Sequence, residues 1–173
     1  LLEAPAGSRD RLRERVRRHG ASLDGPVVVA AVGVEGVERH RAGRAAVALA
    51  RRGSGLAGEH RGAIVVVVPG EDPERVGADL QAAVAALDGT ATVGVTAASD
   101  VLREDRLVAA HDEARRCLDT LVRLGRTGEV SAPSGLGVAR LLLGDNSPAH
   151  VATFVDTMLG PVRSWDQRRG TDL

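Results

Sequence analysis

Lysine and tyrosine are absent from this chain, and cysteine, phenylalanine and tryptophan occur once each. A single cysteine, Cys117, excludes an internal disulfide and leaves no basis for a cysteine-built zinc site. A lone buried-type thiol fits a reducing cytoplasm, and we expect Cys117 to be a small core residue. With only Phe154 and Trp165 as aromatics, the chain lacks the stacking platforms on which single-strand nucleic-acid binders rest bases. Net charge is also lacking: 23 arginines balance 23 acidic residues. The whole domain therefore has no electrostatic pull toward nucleic acid or membrane. We read the all-arginine usage as codon bias of a GC-rich genome. No apolar run approaches the ~20 residues of a membrane span. The first residues, Leu1 to Pro5, lack the basic and apolar regions of a signal peptide.

What is present is enough for one domain with a real core: 173 residues, 43% hydrophobic and 27% charged. The chain is organised around Gly62–Ala63–Ile64–Val65–Val66–Val67–Val68–Pro69. This run is almost wholly β-branched and has no polar residue to face water. It predicts a strand covered on both faces. Pro69–Gly70 ends it, because proline cannot donate to a ladder. Asp72 is placed as an N-cap, with Pro73 at the first helical position. Val76, Leu80, Val84 and Leu87 then share one helical face. Upstream, Ser54 to His60 forms a second short segment, and Arg61–Gly62 can close a β-hairpin through the positive φ that glycine permits.

The remaining elements follow in order. Ser8 to His19 predicts a helix with Leu12, Val16, His19 and Leu23 on one side. Its arginines, Arg9 to Arg18, read either as a nucleic-acid patch or as a solvated face with Glu14 paired to Arg17 and Arg18. The neutral total favours the solvated face. Val27 to Val32 predicts a first strand, buried on both faces, with Gly33 to Gly36 as a turn into a helix that runs from about Val37 to Arg52. That helix has a weak amphipathic pattern, interrupted by Gly43. Asp88–Gly89 stops the helix that Asp72 begins. Thr92 to Thr96 is a further strand. The longest helix runs from about Glu104 to Leu124, with Leu107, Ala110, Ala114, Leu118 and Leu121 inward. Asp112–Arg116 and Asp119–Arg123 are expected as i,i+4 pairs on its wet face. Glu129 to Ser131 is a short edge strand. Helices over 136–143 and 148–159 and a last segment carrying Trp165 complete the chain. Trp165 is expected to anchor that segment by packing on Phe154, Val155, Met158 and Leu159, with a ligand-stacking platform as the alternative.

Helix-linked strands around a central hairpin predict an α/β (α+β) fold. The core is a ferredoxin-like βαββαβ unit, extended by helices at its carboxyl end. Residues 1–24 form the lead-in helix and residues 25–173 the body.

Read with their local sequences, these elements resemble the GGDEF-like domain of the purine-catabolism and sugar-diacid regulators, the PucR/CdaR family. The resemblance rests on Leu1–Leu2 with Leu12 to Leu23, and on Ala63 to Pro73 with its PG-x-DP exit. Val93–Gly94–Val95–Thr96, Ala110–His111–Asp112–Glu113–Ala114 and Leu124–Gly125 follow in the family's order. The most specific piece is Leu159 to Asp166 followed by Gly170–Thr171–Asp172–Leu173. In that family the domain lies between an amino-terminal sensory region and a carboxyl-terminal DNA-binding helix-turn-helix. The resemblance therefore implies a cytoplasmic fragment of a transcriptional regulator with a cyclase-palm-like core. It also implies a homodimer, DNA contact only through a helix-turn-helix not in this sequence, a small-molecule effector, and no membrane.

Cyclases of the GGDEF fold hold two divalent metals with carboxylates at the end of the first strand and on the hairpin. Here the tip reads Glu59–His60–Arg61–Gly62–Ala63, without the paired glycines and paired acids. In the Gly33 to Gly36 turn after the first strand only Glu35 is acidic. Glu35 and Glu59 could share one ion, but a two-metal site needs more carboxylates. His19, His40, His60, His111 and His150 have no metal-ligand spacing, and His111 and Cys117 fall on different sides of one helix. Gly33-x-x-Gly36 lacks the lysine of a phosphate loop, and Ser131 to Gly137 places no base beside a serine. We therefore expect a non-enzyme with no catalytic, cofactor or metal residues, and as alternatives a nucleotide or small-molecule sensor with a degenerate cleft, or a residual cyclase.

Overall fold

The computed structural model describes residues 9–103 and 105–137. The helices expected beyond residue 137, and the Trp165 anchor, lie outside them. The order is α1 (Arg9–Arg18), β1 (Val27–Glu35), α2 (Arg39–Arg52), β2 (Leu56–His60), β3 (Ala63–Pro69), α3 (Pro73–Ala85), β4 (Thr90–Ala98), α4 (Arg106–Arg123) and β5 (Val130–Ser131). A single 3₁₀ turn, Pro133–Leu136, follows. The five strands form one sheet in the order β2-β3-β1-β4-β5. All neighbours are antiparallel except β4 and β5, which are parallel. The first four strands with α2 and α3 make the ferredoxin-like α+β core.

The valine-rich runs of β1 and β3 are hydrophobic at every position because the sheet is covered on both sides. Alternate side chains point to opposite faces. Val28, Ala30 and Val32 pack with Ile64, Val66 and Val68 under α2 and α3. Val27, Val29 and Ala31 pack with Ala63, Val65 and Val67 under α1 and α4, and Val16 and Leu23 close that second core. Asp72 caps α3 as its position before Pro73 predicts: its carboxylate accepts from the Arg75 amide at 3.0 Å.

Three local readings are corrected. Gly33 is not a turn; β1 continues to Glu35. A β-carbon at Gly33 would meet Leu118 Cδ1 of α4 at 3.4 Å, an ordinary contact, and the strand runs on beneath the helix without a break. The weak pattern of α2 hides a real buried stripe, Ala42, Ala46 and Ala50, whose small side chains let the helix lie close to the sheet. On α4, Arg116 pairs with Glu113 at 2.6 Å and Arg115 with Asp119 at 2.9 Å. Asp112 meets its neighbour His111 instead, at 3.2 Å. The expected Asp112–Arg116 pairing yields because His111 offers a ring nitrogen beside the carboxylate and Glu113 reaches the guanidinium.

Candidate functional site

The resemblance drawn from the sequence directs attention to the β2–β3 hairpin tip, where it implies that the carboxylates of a cyclase would stand. Arg61 and Gly62 both have positive φ, 46° and 78°, as a two-residue type I′ turn requires. The strand pairs are Glu59 with Ile64 and His60 with Ala63. This register sends successive tip residues to opposite faces. Glu59 points with Ile64 toward α2, and His60 points with Ala63 toward α4.

On the α2 side the hairpin borders an open groove of about 470 Å³, lined by His40, Gly43, Arg44, Arg51, Gly58 and Glu59. On the α4 side the tip is fastened. The His60 and His111 rings meet edge to face, with centroids 5.0 Å apart and planes at 78°. Arg115 Nη1 donates to the Arg61 carbonyl oxygen at 2.9 Å, while Arg115 Nε holds Asp119. His111 is 2% exposed. Its Nδ1 faces Asp112 Oδ1 at 3.2 Å, and its Nε2 is buried with no hydrogen-bond partner. Burial pushes the His111 pKa below its ordinary value of 6.5; Asp112 opposes the shift, and His60 and Arg61 add to it.

Glu35 and Glu59 do not converge. Glu35 lies at the far end of β1, opposite Thr90, at an odd position like Val27, Val29 and Ala31. It therefore projects on the α4 face, and Glu59 on the α2 face. The pleat of the sheet separates the two carboxylates that the sequence left open as a shared ion site. Among the described residues, no three His, Cys, Asp or Glu side chains converge as metal ligands. Cys117 is fully buried against Leu121 and Leu136 and is a core residue.

The His60–His111 contact is the feature that sequence reading missed. The two residues lie far apart in the chain and form no motif. One signal was present: His111 follows Leu107 by four residues and precedes Ala114 by three and Leu118 by seven, which sets it on the apolar stripe of α4.

No helix among the described residues is long and apolar enough to cross a membrane. Neither curated proteins nor solved structures yield a match to this chain. The family model of the GGDEF-like domain does match, over residues 4–120. That span takes in the ferredoxin-like core and the hairpin, and the chain belongs to the GGDEF-like domain family.

Proposed function

We propose that this GGDEF-like domain is a non-catalytic regulatory module of a bacterial transcriptional regulator of the purine-catabolism and sugar-diacid type. It couples a sensory region to a DNA-binding helix-turn-helix and helps to hold two copies in register, since dimeric readers of DNA need a fixed half-site spacing. The observation that carries the non-catalytic part is the hairpin tip. A two-metal phosphoryl or nucleotidyl transfer needs acids gathered on one side of the tip. Here the one tip carboxylate, Glu59, faces α2. Its neighbours His60 and Arg61 are engaged with α4. A tip fastened to a helix suits signal transmission better than turnover.

The test has two arms. Incubation of the protein with GTP and magnesium or manganese is expected to give no cyclic nucleotide; product that disappears in Glu59→Ala overturns the non-catalytic reading. In the full-length regulator, Arg115→Ala is expected to alter the response of DNA binding to effector while the protein stays folded and dimeric. An unchanged response removes the hairpin from the signalling route.

A second reading, a small-molecule sensor, has its own support in the groove beside α2. His40, Arg44 and Arg51 offer positive or polar groups over a floor that Gly43 and Gly58 leave open. A ligand that binds only the folded state raises the melting temperature. Stabilisation by a nucleotide or a dicarboxylate, lost in Arg44→Ala, is the expected sign of a sensor.

A further inference from the structure

We infer that the His60–His111 contact is a proton-released latch that fastens the hairpin tip to α4 near neutral pH and lets it go on acidification. The geometry has three parts. His111 sits within the sheet–α4 core, 2% exposed, and its Nε2 reaches neither solvent nor a hydrogen-bond partner. The His60 ring from the hairpin closes over it at 5.0 Å, edge to face. Beside the rings, the Arg115 guanidinium, itself paired with Asp119, donates to the Arg61 carbonyl, and Arg61 brings a positive charge to the seam.

A neutral imidazole is at home in this site. A proton on Nε2 would be buried without an acceptor, next to a second imidazole and the Arg61 charge. Of the groups facing His111, only Asp112 on its own helix is negative, and it answers Nδ1 rather than Nε2. From the hairpin, His60 and Arg61 are both basic. From the sheet, β3 carries no titratable side chain, and β1 carries only Glu35 at its last position. From α1, which meets the same core through Val16, the described charges, Arg13 to Arg18, are not among the groups that shift His111. A proton taken up by His111 is relieved by parting the hairpin from α4, which opens Nε2 to water. The tip lies at the sheet's edge, where β2 pairs with β3 alone. Movement carries Glu59 with it, since Glu59 and His60 are adjacent residues on opposite faces. A proton taken up on the α4 side is thereby felt in the groove on the α2 side. The latch stands independently of whether the domain is catalytic.

The experiment is amide hydrogen exchange on the 173-residue protein at about pH 7.5 and about pH 5.5, corrected for the intrinsic pH dependence of exchange, with histidine ring titration by NMR on the same sample. The expected result is a loss of protection, of at most about tenfold, at Gly58 to Ala63 on acidification, with β1 and β4 unchanged, since one imidazole that regains its ordinary pKa of 6.5 on opening cannot shift the opening equilibrium further over this pH range. In His111→Phe, which keeps a ring and cannot take a proton, tip protection is expected to be the same at both pH values. If that variant does not fold, His111→Gln, which is polar and takes no proton, carries the same expectation. Equal tip protection of the wild-type protein at both pH values overturns the latch. So does a His111 ring that titrates at or above its ordinary value, or a pH response that persists in the folded His111 variant.

Discussion

Gly94 of β4 lies directly against the backbone of Ala114 on α4. A β-carbon at Gly94 would overlap the Ala114 carbonyl oxygen and the Leu118 amide, and would sit 2.9 Å from Cys117 Cβ. The close approach of helix to sheet depends on that missing side chain. Backbone cannot swing aside as a long side chain can, so Gly94→Ala is expected to destabilise by at least the ~1–3 kcal/mol of an overpacked core. Gly58→Ala, where no atom lies within 4 Å of the added carbon, is the control and should leave the urea midpoint nearly unchanged.

The cap of α3 is a smaller contribution. Asp72 Oδ1 accepts from the Arg75 amide at 3.0 Å, and Pro73 follows at the first helical position. Asp72→Ala is expected to cost ~1 kcal/mol, and Asp72→Asn much less, because the amide oxygen also accepts. Urea unfolding of the two variants side by side separates loss of the cap from loss of charge.

Arg61 occupies the left-handed region at φ 46°, a conformation that arginine adopts at a cost. Asn-Gly is the preferred pair for such a turn. Arg61→Asn is therefore expected to stabilise the protein by roughly 0.5–1 kcal/mol. The hydrogen bond from Arg115 survives the change, because its acceptor is the backbone oxygen. A drop in melting temperature would show that the arginine side chain contributes more than its backbone strain costs.

The pH dependence of overall stability has a definite sign. The folded protein holds the His111 pKa below 6.5, so the unfolded chain binds the proton more readily. Stability from this group is complete above 6.5 and falls as the pH drops through that value toward the lower folded one. Urea midpoints of the wild-type protein should decline between about pH 7 and pH 5.5, and His111→Phe should flatten that decline.

How much of this was legible from residues alone differs from element to element. The Val65–Val68 run, the Asp72–Pro73 start of α3 and the Arg61–Gly62 turn were all written in local chemistry. A β-branched run favours a strand, a carboxylate before proline caps a helix, and a glycine permits positive φ, wherever they occur. The ferredoxin-like order of elements followed from these. Gly94 was different. Its reason for being glycine is α4, which passes directly over it, and a contact between distant segments leaves no periodic mark. Facing was likewise decided by the tertiary structure. Glu35 and Glu59 are both acids near one end of the sheet, and only the strand register shows that the pleat sends them to opposite sides. His60 and His111 are two dispersed histidines in the sequence. They become one contact only when α4 lies across the hairpin, because burial and a neighbouring ring, not spacing along the chain, make the site.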